Sequence, residues 1–128
     1  MENYSAFIIP INFNNGLFLI GKRIDSMFDF FGGGNVKKEE PEQTAIREFY
    51  EGTNTKVKKQ ELVFFKKLNL KKKTVYVYFC VWKKTKNIRK LNTDEHTEYR
   101  WTTVNKIMKD NLSFTETAKN ILYGIQGF

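Results

Sequence analysis

Two apolar runs open the chain, "SAFIIPI" (residues 5–11) and "LFLIGKR" (17–23). The Asn15-Gly16 pair between them suits a tight hairpin turn, so both runs are expected to be strands. A shorter run, "SMFDFF" (26–31), leads into three glycines at 32–34. The period then changes: Ala45, Ile46, Phe49 and Tyr50 recur at helical spacing. Pro41 suits the first turn of that helix, Glu42 complements its positive end, and Gly52 and Asn54 can each end it. "ELVFFKKLNL" (61–70) and "TVYVYFCVW" (74–82) read as strands around a lysine-rich turn. In the second, Val75, Val77, Phe79 and Val81 alternate with Tyr76, Tyr78, Cys80 and Trp82. Two apolar faces predict a central strand covered on both sides. "EYRWTTV" (98–104) is a last short strand. Ser113 with Glu116 forms a capping box for a C-terminal helix striped by Ala118, Ile121, Leu122 and Ile125. Strands, helix, strands, helix predict a mixed β-sheet between helices.

Composition narrows the class. A length of 128 residues suits a single domain over 1–128, and 41% hydrophobic with 16% aromatic residues is enough to fill its core. No apolar run reaches the length of a membrane span, and the N-terminus has no basic start or small-residue cleavage site of a signal peptide. One cysteine, Cys80, precludes an internal disulfide framework, and a reducing, cytoplasmic compartment is expected. One cysteine and one histidine, His96, also argue against zinc. The formal charge of +8 admits two readings. It suits a phosphate-rich ligand or nucleic acid. Equally, "KVKKQ", "FFKKLNLKKKTV" and "VWKKTKNIRK" are lysines clustered at strand ends and turns, as on a solvated surface.

The candidate chemistry lies in "FGGGNVKKEEPEQTAIREFYEGTNT" (31–55). Glu48 and Glu51 are three residues apart, so a helix sets them on one face about a turn from each other. Arg47, beside them, can hold one carboxylate through a forked hydrogen bond, and Glu39 can fold back from the loop towards the same point. Carboxylates crowded on one face repel unless a cation sits among them. Hard oxygen ligands in this number suit Mg2+ or Mn2+, which keep waters and accept phosphate oxygens as further ligands.

Gly33, five residues, Glu39, seven residues, Arg47-Glu48-Phe49, one residue, Glu51: this spacing resembles the signature of the Nudix hydrolases. The order of strands and helices is similar to that family over nearly the whole chain. The resemblance implies an α/β/α sandwich and a divalent-metal-dependent hydrolysis of a pyrophosphate bond in a nucleoside diphosphate linked to a group X. It also implies roles. Glu48, Glu51 and a backbone carbonyl of Gly32 or Gly33 would hold metal, Arg47 would orient Glu48, and Glu39 would support loop and helix. "DEHTEYRW" (94–101) is similar to the segment that supplies a further carboxylate in many Nudix enzymes. It makes Glu95, six residues before Trp101, the expected ligand or base, with Glu98 in reserve.

The chain departs from the pattern at several positions. Gly52 stands where the family has a second glutamate, Asn54 where it has a glycine, Thr55 where it has an aliphatic residue, and Phe31 where a proline precedes the double glycine. Only Gly52 touches the chemistry, because it removes a metal-binding carboxylate. Restoring it by Gly52→Glu is expected to lower the magnesium requirement unless Glu95 or Glu98 already replaces it. A catalytically impaired Nudix fold that binds nucleotides or RNA is the alternative. For substrate, the resemblance extends to asymmetric diadenosine tetraphosphate hydrolases and dihydroneopterin triphosphate pyrophosphatases, which makes Tyr99 the residue to stack on a base. Arg23, and more weakly Lys83, would bind phosphate. His96 could donate to phosphate, although a lone loop histidine is more often merely exposed. The triphosphate or cap at an RNA 5' end is a further option for X.

Overall fold

The computed structural model describes residues 3–83 and 95–126. Seven strands, β1 (Tyr4–Asn12), β2 (Leu17–Arg23), β3 (Phe28–Asp29), β4 (Phe31–Gly34), β5 (Leu62–Leu70), β6 (Lys73–Val81) and β7 (His96–Thr102), form one sheet. Three helices, α1 (Pro41–Thr53), α2 (Val104–Asp110) and α3 (Glu116–Gln126), complete the chain. The main path through the sheet is β3-β2-β1-β6-β5; β4 pairs with β1, and β7 with β2. β1 and β6 run parallel and the other pairings are antiparallel, so the sheet is mixed.

β6 lies between β1 and β5, the central place that its two apolar faces require. Val75 and Val77 join the core that Ile107 of α2 and Ala118 and Ile121 of α3 cover, while Tyr78 and Cys80 join the core that Ala45 and Phe49 of α1 cover. The fold is the expected α/β/α sandwich. Among the described residues no helix is long and apolar enough to cross a membrane.

Several boundaries differ from the sequence reading, each for a local reason. The β1–β2 connection has four residues, since Asn12 pairs with Leu17, and Gly16 takes the left-handed conformation with φ 72°. Asn54, with φ 54°, caps α1, whereas Gly52 lies inside the helix. The last strand ends at Thr102, because Thr103 accepts a hydrogen bond from the Lys106 N–H (3.2 Å) and starts α2. α3 is capped by Thr115, whose hydroxyl accepts from the Ala118 N–H at 3.2 Å. The backbone of Ser113, expected as that cap, pairs instead with Phe28 (2.8 Å).

Asp29 of β3 carries a cost. Burial pushes its carboxyl from 3.8 up to about 6, against the Phe30 N–H, Arg23, Thr115 and Lys73, all of which favour the charged form. A folded pKa above the unfolded one means that the folded state prefers the proton. Asp29 is thus neutral-compatible below about pH 4 and costs stability increasingly as the pH rises through about 6. At about 1.4 kcal/mol per pKa unit the cost at neutral pH is at most about 3 kcal/mol. Asp29→Asn is expected to raise stability by up to that amount near pH 8 and to flatten its pH dependence between about 4 and 6, as read by urea denaturation. Unchanged stability near pH 8 would mean that Arg23 and Lys73 compensate the charge fully.

Candidate active site

α1 lies across β1 and β4, and its exposed side carries a hub centred on Arg47. The Arg47 Nε donates to Glu39 Oε2 at 2.7 Å, and Nη2 donates to Glu39 Oε1 (3.1 Å) and to the Gly34 carbonyl (2.9 Å). Nη1 donates to Glu48 Oε1 (2.9 Å) and to both Glu51 oxygens (3.0 and 3.1 Å). Only a guanidinium has the donors for such a fork. Glu39 is further fixed by the Val36 N–H (3.0 Å) and the Thr44 hydroxyl (2.9 Å), while Tyr4 donates its hydroxyl to the Glu39 carbonyl. The Arg47 hydrogen bond is the main reason the Glu39 carboxyl falls from 4.5 to about 2. Loop, strand β4 and helix are thereby tied at one point.

The glycines of β4 are needed for close approach. A Cβ on Gly32 would overlap the Ala6 carbonyl and the Phe7 ring, and one on Gly33 would overlap the Glu48 carboxylate. Glu48 therefore rests directly on the Gly33 backbone. Burial raises its pKa most; Arg47 opposes that shift, and the negative charges of Glu51 and Glu95 reinforce it. Glu51 is more open, with its side chain 45% exposed.

Strand β7 brings the second motif to the same end of α1. An irregularity in the β2–β7 register at Lys22/Arg23 pairs Arg23 with His96 and Lys22 with Glu98. A bulge re-aims side chains, and here His96 turns into the α1-side core. Its ring lies 4.7 Å from that of Phe31, and the residue is 8% exposed. The expectation of an exposed loop histidine is thus corrected. Burial, then the Arg23 charge, lowers its pKa, and Nδ1 has no hydrogen-bond partner.

Glu95, just before β7, comes within electrostatic reach of Glu48, and its Oε2 would lie 3.7 Å from a Cβ on Gly52. Glu98 is not brought there; it pairs with Lys22 (3.7 Å) and Arg100 (3.5 Å). Arg23 is half exposed and holds Asp25 at 3.1 Å. Tyr99, opposite Gly21, is 40% exposed, while Trp101 packs at the edge of the core, its ring 6.1 Å from that of Trp82. Lys83 is exposed beyond β6, and Asp94 lies outside the described residues.

Against known families, the chain matches the NUDIX domain over residues 1–122. It belongs to the Nudix family. A search of curated proteins finds no match. Among solved structures, the Nudix chain superposes with TM-score 0.75 and 20% identity on a MutT from work on Aliivibrio salmonicida and Vibrio cholerae, covering 100% of both chains. A C. elegans Ap4A hydrolase in a binary complex gives TM-score 0.66 at 19% identity, with 97% of this chain and 99% of that one covered. A Francisella tularensis bifunctional NMN adenylyltransferase/ADP ribose pyrophosphatase, complexed with AMP and Mn ion, gives TM-score 0.73 at 17% identity over 96% of this chain. This chain spans 40% of the length of that protein and 43% of a MutT/nudix family protein from Enterococcus faecalis. At these identities the likeness is one of fold.

In this Nudix fold, no group of three His, Cys, Asp or Glu side chains among the described residues is arranged as it stands to hold a metal ion. Arg47 engages both helix glutamates. The donor chemistry nevertheless suits a hard divalent cation: the Glu48 carboxylate sits against the Gly33 backbone, with Glu51 and Glu95 raising the local negative charge. Two contributors escaped the sequence reading. Thr44 carries no motif signal beyond its place in the first helical turn, and Phe31 registered only as a departure from proline, although its ring packs beside Phe49 at 6.0 Å.

Proposed function

We propose that this chain hydrolyses a pyrophosphate bond in a nucleoside diphosphate linked to a group X, using Mg2+ or Mn2+. The observation that carries the reading is the Glu48 carboxylate wedged against the Gly33 backbone and steadied by Arg47. Glu48, Glu51 and the carbonyl of Gly32 or Gly33 would hold the cation, with Glu95 supplying a further carboxylate from β7. When bound, the cation neutralises phosphate charge and lowers the pKa of bound water. Arg47 keeps Glu48 in place through Nη1, and Glu39 holds Arg47 from the other side. The depressed pKa of Glu39 keeps it anionic at any working pH, so this support persists. Arg23, with His96 beside it and Lys83 beyond, supplies positive or donor groups for phosphate. Tyr99 offers an open ring face to a base. X extends to a second nucleotide or an RNA 5' end, and a cytoplasmic location belongs to the same reading, since Cys80 is a free, buried thiol.

The second reading, a fold that binds nucleotides or RNA without turnover, is favoured by Gly52 and by the Arg47 contacts that occupy both helix glutamates. Mass spectrometry of products from a panel of nucleoside diphosphate derivatives, dinucleoside polyphosphates and 5'-triphosphorylated RNA, with Mg2+ or Mn2+, separates the two. Metal-dependent cleavage within the phosphate chain is expected. Binding without cleavage of any member would establish the second reading.

Base and phosphate recognition should then separate by mutation. Tyr99→Ala removes a stacking contact worth about 1–3 kcal/mol. If the contact is equal in ground and transition states, the loss falls on KM with kcat little changed. Arg23→Ala should instead cost more as the substrate carries more phosphates. A drop in melting temperature for Tyr99→Ala with unchanged KM would reassign Tyr99 to packing.

A further inference from the structure

The inner face of α1 has a notch at Gly52. A Cβ there would stand 3.2 Å from Phe31 Cδ1 and 3.9 Å from Cε1, and 3.7 Å from Glu95 Oε2. The same Phe31 ring is confined on its far side, where a Cβ on Gly21 would come within 2.7 Å of both Phe31 Cζ and His96 Cδ2. Phe31 is 1% exposed and also meets the Phe49 and His96 rings. A large ring thus lies between two residues that lack side chains. The notch left at Gly52 is where the carboxylate of Glu95, the residue before His96, comes to rest.

From this packing we infer that Glu95 takes over, from β7, the place of the carboxylate that α1 lacks at position 52. Gly52 is then an exchange rather than a simple loss. The helix gives up a side chain, Phe31 and Glu95 use the room, and the site keeps its third carboxylate from another element. Positions 52 and 95 become alternative sources for one place, not two independent ones. The inference rests on the metal-site reading above and adds to it which residue completes the site.

Mn2+ binding to the substrate-free protein, measured by isothermal titration calorimetry, tests the exchange as a double-mutant cycle. Glu95→Gln is expected to weaken Mn2+ affinity by about tenfold or more with the melting temperature unchanged. Gly52→Glu alone should alter affinity by no more than about twofold, and Gly52→Glu with Glu95→Gln should recover most of the loss, the non-additivity expected of a shared place. Glu98→Gln, whose carboxylate pairs with Lys22 and Arg100, should leave Mn2+ affinity unchanged. Equal effects of Glu95→Gln and Glu98→Gln would overturn the inference, as would independent tightening by Gly52→Glu in both backgrounds. If Gly52→Glu fails to fold against Phe31, the comparison of Glu95→Gln with Glu98→Gln still decides. Glu48→Gln is the control for the site itself: if it too leaves Mn2+ affinity unchanged, the site reading fails; if it alone loses affinity, only the exchange fails.

Discussion

Glu48→Gln is expected to lower turnover at least about a hundredfold, about 2.7 kcal/mol in barrier, while the protein folds as well as before or better. The amide keeps the shape that fits against Gly33 and still accepts from Arg47 Nη1. What it loses is the charge that would hold a cation. Burial is the largest cause of the raised pKa of Glu48, so the ionised carboxylate is disfavoured in the folded state and its removal relieves that cost. Activity and melting temperature should therefore move in opposite or independent directions. A structural glutamate would lose both together. Turnover within about tenfold of the parent, about 1.4 kcal/mol, would remove Glu48 from the chemistry.

How much of this was visible before folding depends on sequence distance. Glu39, Arg47, Glu48 and Glu51 fall within one loop and three turns of one helix, so helical geometry alone brings them together, and the structure joins all four through a single guanidinium. The sheet was similarly legible: the two apolar faces of 74–82 gave away a central strand. Short elements fared worse. α2 has seven residues with only Ile107 buried, too little periodicity to distinguish from the β-branched run Thr102, Thr103, Val104 before it. The Phe31, Gly21 and Gly52 packing was out of reach for a different reason. These residues come from β4, β2 and α1, and no local pattern announces that a ring will lie between two glycines. His96 shows the same effect, since its inward turn depends on a register irregularity against β2.

Arg47→Ala should be the most destabilising single change at the hub. It would leave the Gly34 carbonyl and the carboxylates of Glu39, Glu48 and Glu51 without their shared donor. Removing one partner of a fully buried ion pair costs about 3–5 kcal/mol, whereas exposed pairs are worth about 0–1 kcal/mol. With the Arg47 side chain 28% exposed, an intermediate loss of about 2–3 kcal/mol follows from those limits. The acid limb distinguishes this cause from lost packing. In the parent, Glu39 has a folded pKa of about 2 against 4.5 unfolded, so its contribution is present above about 4.5 and is lost as the pH falls towards 2. Without Arg47 the folded pKa should climb back towards the ordinary carboxylate value, and the fall in stability over that window should shrink. Urea denaturation of both proteins between about pH 2 and 7 measures the difference. Curves that stay parallel across the acid range would show that Arg47 acts through its aliphatic stem, and that the carboxylates of the site are held by something else.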